Sequence, residues 1–130
     1  MGRMLVDAKT PWGSPVGYSR ATRVGNHVYV AGTAGVGEDG WPAGDARAQT
    51  VRALEIIRQA LEQVGAHLSD VVRTRIFVTD IGQWETIGRV HGEVFGDIRP
   101  AATMVEVRRL IRPDLVVEIE ADAVIQEEQT

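Results

Sequence analysis

The chain contains no cysteine. That absence removes disulfide scaffolds, thiolate metal sites and cysteine nucleophiles together, and it agrees with a reducing compartment. Lysine is almost missing too: Lys9 stands alone beside thirteen arginines, an imbalance that reads as genome composition. A Schiff-base mechanism would have to use Lys9, in an irregular N-terminal stretch, and is discounted. No apolar run approaches the ~20 residues of a membrane helix. The opening MGRMLVDAKTPWGSP lacks the apolar core of a secretory signal, and Val6 stands where the myristoylation pattern wants Ser or Thr. A soluble, cytoplasmic protein is expected, with no membrane partner. His27, His67 and His91 have no ligand-like spacing, so no metal is expected. None of the three serines, Ser14, Ser19 and Ser69, sits in a G-x-S-x-G context. The string Gly32-Thr33-Ala34-Gly35-Val36-Gly37 matches neither dinucleotide nor P-loop spacing, and no Lys-Ser/Thr follows it.

What is present describes an ordinary globular chain. The 130 residues match one domain by the ~100–200 residue prior, so residues 1–130 are read as a single domain. A hydrophobic fraction of 44% and a charged fraction of 25% argue against wholesale disorder. Eighteen acidic side chains against fourteen basic ones give a net charge of −4 and a pI near 5.3. That balance disfavours nucleic acid as a partner.

Periodicity gives the elements. Tyr18 to Val24 and His27 to Thr33 flank a Gly25-Asn26 turn and predict a hairpin. The Gly- and Pro-rich stretch from Gly32 to Gly44 reads as a loop. Asp45 is a suitable N-cap. After it, Val51, Leu54, Ile57, Leu61 and Val64 form one helical stripe that ends at Gly65. Val71 to Thr79 alternates, with Val72, Thr74, Ile76 and Val78 on one side and Arg73, Arg75, Phe77 and Thr79 on the other. Asp80 and Gln83 resemble a capping box. They precede a second helix that carries Trp84, Ile87, His91, Val94 and Phe95 on its apolar side and ends at Gly96. Gly88 and Gly92 weaken that helix, which implies close backbone packing or room for a ligand. Alternating runs around Thr103–Val107 and Val117–Ala123 close the chain, and a short strand at Met4–Ala8 is possible. The order β-β-α-β-α-β-β predicts an α+β fold: one mixed sheet with both helices on one face.

The other face of that sheet carries unusual charge. Arg73, Arg75, Glu106, Arg108, Glu118, Glu120 and Asp122 are assigned to it, together with the apolar Tyr29, Phe77, Met104 and Val116. A solvated face is the ordinary reading. Alternating arginines and carboxylates also make such a face self-complementary, which suggests a homo-oligomer. Glu118 and Glu120 share the face. Burial would raise the pKa of either and suit it to proton transfer. An ion pair with Arg73, Arg75 or Arg108 is the structural alternative.

Three segments together resemble a known family. They are Val28-Tyr29-Val30-Ala31-Gly32 after the Gly-Asn turn, Asp70 to Asp80 (DVVRTRIFVTD), and Pro100 to Val107 (PAATMVEV) followed by Leu110 and Val117-Glu118-Ile119-Glu120-Ala121. The chain is similar in these motifs, and from about Ser14 to Val124, to the RidA (reactive intermediate deaminase A, YjgF-type) family. The resemblance implies a chorismate-mutase-like fold and a homotrimer whose sheets surround a central barrel, with ligand clefts between subunits. It also implies hydrolysis of enamines and imines to keto acids and ammonia without a cofactor. Tyr18 corresponds to the family's ligand-facing tyrosine and Glu118 to the glutamate that positions water. Ala102 stands where the family's carboxylate-binding arginine belongs. Ala31 replaces a small hydroxyl residue, Gly88 an asparagine, and Met104 a common cysteine.

The resemblance thus implies a retained scaffold and a lost carboxylate clamp, because alanine cannot provide the bidentate contact of a guanidinium. Arg99 and Arg20 are the substitutes close at hand. Three functions follow. The first is a cofactor-free hydrolase or deaminase of a small electrophile, with Glu118 activating water, Tyr18 orienting the substrate and the Gly32 amide contacting an oxygen. The cleft is less polar than the family norm, which suggests a ligand larger or less anionic than an amino-acid-derived imine. The second is a non-catalytic trimer that binds a metabolite in the same cleft. The third, an RNA-directed ribonuclease or translation inhibitor, is disfavoured by the acidic pI.

Overall fold

A computed structural model describes residues 2–126. Its elements are β1 (Met4–Val6), α1 (Gly13–Val16), β2 (Ala21–Val24), β3 (His27–Ala34), α2 (Ala46–Gln63), β4 (Val71–Val78), α3 (Trp84–Phe95), β5 (Ala101–Glu106) and β6 (Val117–Val124). The strands form one sheet in the order β1-β2-β3-β6-β4-β5. β4 and β5 run parallel, joined by the α3 crossover, and the other neighbours are antiparallel. The hairpin, the two long helices and the short N-terminal strand are all present, and the mixed α+β sheet is as periodicity predicts. The four-residue α1 has no counterpart in the periodic pattern. It leaves through Gly17 in the left-handed region (φ 83°), so Tyr18 and Ser19 precede β2 instead of opening it.

One apolar cluster lies between the sheet and the helices. It draws on Val28 and Val30 of β3, Leu54, Ile57 and Leu61 of α2, and Ile87, Val90 and Phe95 of α3, with Ile76, Val78, Val117 and Ile119 from the central strands. Asp45 caps α2, its carboxylate accepting from the Ala48 amide at 2.9 Å. The predicted stripe holds from Leu54 to Val64, but Val51 is exposed. Gln49 and Thr50 are buried in its place. Thr50 donates to the Ala46 carbonyl (2.7 Å). Gln49 donates to the Gly44 and Asp114 carbonyls and accepts from the Val116 amide, each at 3.0 Å. A fully bonded amide can be buried, and hydrophobic periodicity does not register it. Gly35 belongs to the same junction. A Cβ there would lie 2.0 Å from the Gln49 carbonyl oxygen, so the end of β3 and the start of α2 touch backbone to backbone.

Several face assignments need correction. β4 carries an extra residue between Val71 and Arg73. This bulge turns Val71 into the core and leaves Val72 exposed. In the β4–β5 register, Thr74, Ile76 and Val78 stand beside Ala102, Met104 and Glu106. Those three β5 residues therefore share the helix side, and Met104 packs against the core. Val105 stands beside Phe77, on the open face, where alternation alone places Met104. Arg108 lies beyond the end of β5. Val116 also packs against the core. Asp80 accepts from the Gly82 amide (2.8 Å) and caps a 3-10 turn, so α3 begins one turn later with Gln83 at its N-cap. Trp84 is consequently exposed. A Cβ on Gly88 or Gly92 would meet nothing within 4 Å, so no backbone of the same chain packs close to either glycine and open space lies beside both.

Candidate active site

The most distinctive local geometry surrounds Glu118. It stands on the open face of β6, opposite Ala34 of β3 and Phe77 of β4. β3 carries its own bulge between Val30 and Thr33, and this brings the Gly32 backbone against the Glu118 side chain. A Cβ on Gly32 would lie 2.8 Å from one carboxylate oxygen of Glu118 and 2.9 Å from its Cδ. Only glycine accommodates that carboxylate where it stands.

Arg20 holds the bulge in place. It is 8% exposed, and its Nη1 donates to the Gly32 carbonyl at 2.8 Å and to Thr33 Oγ1 at 3.2 Å. Its Nη2 donates to the Ala8 carbonyl at 3.4 Å. The guanidinium carbon lies 5.8 Å from the centre of the Tyr18 ring, and the Tyr18 hydroxyl bonds Thr10 Oγ1 at 2.7 Å. Arg20 is therefore a scaffold residue, its donors turned to the backbone, and not a free carboxylate clamp. Arg99 does not approach the site either. It occupies the left-handed region (φ 56°) just ahead of β5, at the other edge of the sheet.

Burial pushes the Glu118 carboxyl above its ordinary pKa, the Glu120 charge pushes in the same direction, and the Arg20 guanidinium opposes both. Glu120 and Asp122 share Arg75, at 3.7 Å and 3.2 Å. Among the described residues Glu118 makes no ion pair with Arg73, Arg75 or Arg108, so the structural alternative for its charge is not realised within one chain. A half-buried carboxyl with a raised pKa and no bound cation is suited to exchange a proton.

Glu118 lies on the wall between two hollows. A cleft of about 620 Å³ is lined by Glu118, Tyr18, Arg20 and Gly32, by residues 7–12, and by Arg52 and Ile56 of α2. A neighbouring hollow of about 420 Å³ is lined by Glu118, Tyr18, Ala31, Gly32, Trp12 and Arg109. Four of the predicted site residues, Tyr18, Ala31, Gly32 and Glu118, thus come together. Gly88, Ala102 and Met104 line neither hollow. β5 lies two strands from β6, about 10 Å away at ~4.8 Å per strand, and Ala102 and Met104 share the opposite side of the sheet. Sequence reasoning missed Arg109 and residues 7–12, since neither carries a periodic or motif signal.

The histidines do not gather. The His91 ring nitrogen bonds the buried Thr74 hydroxyl at 2.8 Å, and the ring packs on Phe95 with centroids 4.7 Å apart. Among the described residues no cluster of His, Cys, Asp or Glu is arranged to hold a metal. No helix among them is long and apolar enough to cross a membrane.

The chain is similar to known proteins in sequence and in fold. The family model described as Endoribonuclease L-PSP matches residues 11–125. A 3-aminoacrylate deaminase RutC from Acinetobacter baylyi is 39% identical over 104 residues, covering 78% of this chain and 82% of its own. A RutC family protein from Pyrococcus abyssi is 38% identical over 112 residues, covering 84% of this chain and 87% of its own. Among solved structures, a Mycobacterium tuberculosis member of the YjgF/YER057c/UK114 family superposes with a TM-score of 0.88 at 53% identity. That match covers 95% of this chain and 100% of the neighbour. The helix-backed mixed sheet is accordingly the chorismate-mutase-like fold expected from the sequence, and the chain belongs to the RidA/YjgF family, also described as the Endoribonuclease L-PSP family.

Proposed function

We propose that the protein is a cofactor-free hydrolase of a small imine or enamine, working at the Glu118 cleft. The observation that carries this reading is the Glu118 carboxyl itself: raised in pKa by burial, seated against Gly32, and open to both hollows. The 39%-identical 3-aminoacrylate deaminase supports the reaction class. In the reaction, water oxygen bonds to the imine carbon, the carbon–nitrogen bond breaks, ammonia leaves and a carbonyl remains. In its acid form Glu118 protonates the enamine carbon or the departing nitrogen. As the carboxylate it takes a proton from the attacking water. Tyr18 orients the substrate, and the Gly32 amide contacts a substrate oxygen.

The functional unit in this reading is a homotrimer with its sheets around a central barrel. The two predicted groups of site residues lie on opposite sides of the sheet, so a second copy is needed to set Gly88, Ala102 and Met104 beside a Glu118 cleft. Ala102 there offers a methyl group and no guanidinium. The substrate is therefore not held from β5 in the classical 2-imino-acid manner. The test is hydrolysis of 2-iminobutanoate and of 3-aminoacrylate, each generated in situ, against the buffer rate. Acceleration that disappears in Glu118→Ala supports the reading. No acceleration of either compound contradicts it and leaves the cleft as a metabolite-binding site. Light scattering tests the assembly, with a mass three times the 14.2 kDa chain expected.

A further inference from the structure

We infer that Arg109 is the anion anchor of the Glu118 site, so that the substrate carries a carboxylate or a comparable planar anion. This rests on the hydrolytic reading above and specifies its substrate class. A carboxylate brought beside Glu118 and Glu120 meets like charge, and it binds only if a cation faces it. Five cationic side chains line the two hollows on either side of Glu118. Two of them have both Nη nitrogens engaged, and a third is tethered through Nε and lines only the larger cleft. Arg20 is buried, with its donors on Gly32, Thr33 and Ala8. Arg52 donates through Nε to the Val36 carbonyl at 2.9 Å. Arg112 donates to the Gly40 carbonyl and to Asp114, each at 2.8 Å, and stacks over Trp41.

Lys9 and Arg109 remain, and among the described residues neither makes a hydrogen bond or an ion pair. Their placement separates them. Lys9 lines only the larger cleft. Arg109 lines the smaller hollow, where Ala31 and Glu120 join the Glu118, Tyr18 and Gly32 that both hollows share. The residue types separate them as well. A guanidinium presents two parallel donors matched to a carboxylate, whereas an ammonium is a point charge on a flexible stem. Arg109 belongs to the connection from β5 to β6, whose far end positions Glu118. One backbone segment thus sets the spacing between the anion anchor and the proton-transfer group. The loss of a guanidinium at Ala102 is thereby compensated from within the same chain.

The test combines hydrolysis of 2-iminobutanoate and of 3-aminoacrylate with binding of 2-oxobutanoate, the product of the first, measured by calorimetry. Both are run on wild type, Arg109→Ala and Arg109→Lys, with Arg108→Ala as the control for a nearby loss of one positive charge. Arg109→Ala is expected to raise KM and the product Kd by about 10- to 100-fold, the worth of a charge-assisted bidentate contact, with kcat changed much less. Arg109→Lys recovers part of the loss, and Arg108→Ala stays at the wild-type values. The uncharged 2-oxobutanamide binds wild type and Arg109→Ala equally. Hydrolysis by wild type that is unchanged in Arg109→Ala overturns the anchor and leaves the hydrolytic reading standing. Arg109-dependent binding of 2-oxobutanoate without any hydrolysis upholds the anchor and overturns the hydrolytic reading. Neither binding nor hydrolysis overturns both.

Discussion

Gly32→Ala separates the chemistry from the fold. The added Cβ would lie 2.8 Å from a carboxylate oxygen of Glu118, 2.9 Å from its Cδ and 3.3 Å from its Cγ. Comfortable contact begins near 3.5 Å, so the carboxylate must retreat by roughly 0.6–0.7 Å. A displacement approaching 1 Å at a reacting group costs up to about 10²-fold in rate, so a loss of about 10- to 100-fold in kcat is expected. That corresponds to about 1.4–2.8 kcal/mol. The fold itself has little reason to object. Gly32 is not in the left-handed region, and what the methyl meets is the far end of a flexible side chain. The Arg20 bond goes to the Gly32 carbonyl, which alanine keeps. Reduced backbone freedom in the unfolded chain favours the variant by about 0.4–1 kcal/mol. The assay pairs steady-state imine hydrolysis with a thermal melt. Full activity would refute the claim that the position of Glu118 matters, and a collapse in melting temperature would show Gly32 to be a folding residue instead.

Three further outcomes follow from the same contacts. Gly35→Ala drives a methyl into the α2 backbone, 2.0 Å from the Gln49 oxygen; at about 3 kcal/mol or more it should lower the melting temperature by roughly 10 °C, and a melt unchanged from wild type would contradict the backbone contact. Glu118 has a raised folded pKa, so its contribution to stability is full below the unfolded value of about 4.3 and is lost as pH rises through the folded value. Glu118→Gln should therefore melt above wild type at pH 7 and level with it near pH 4, and a lower melt at pH 7 would reverse that sign. His91 has a pKa lowered by burial, so its contribution is present above about pH 6.5 and is lost as pH falls through the lowered value. The acid limb of the melting curve should flatten in His91→Gln, and an unchanged slope would argue against a neutral, buried imidazole.

Much of this architecture is legible in the residues, because it rests on periodicity. The Leu54–Val64 stripe, the alternation of β6 and the cap at Asp45 are repeating or local signals, and each holds. The misreadings share a physical cause. A single inserted residue reverses every side chain beyond it, so the bulge at Val72 and the register of β5 on β4 move Val72, Met104 and Glu106 to sides that alternation does not give. The polar contacts that bury Gln49 are tertiary and leave no trace in spacing. The site divides in the same way. Ala31, Gly32 and Glu118 come together because motif positions on the adjacent strands β3 and β6 become spatial neighbours, and Tyr18 joins them from just ahead of β2. Arg109 belongs to an irregular connection whose course is set only when β6 docks between β3 and β4. Gly88, Ala102 and Met104 line neither hollow beside Glu118 within one chain, and their place beside it in the proposed trimer would depend on contacts between chains, which the order of residues along one chain does not encode.

The claim on which the functional reading depends is that Glu118 moves the proton. Single-turnover hydrolysis of 2-iminobutanoate by Glu118→Gln, a variant of nearly the same shape without the titrating oxygen, tests it most directly. Loss of about 10²-fold or more relative to wild type, in a protein that melts no lower at pH 7, is the predicted result. Hydrolysis by Glu118→Gln at the wild-type rate would contradict it and would assign the Glu118 cleft to binding alone.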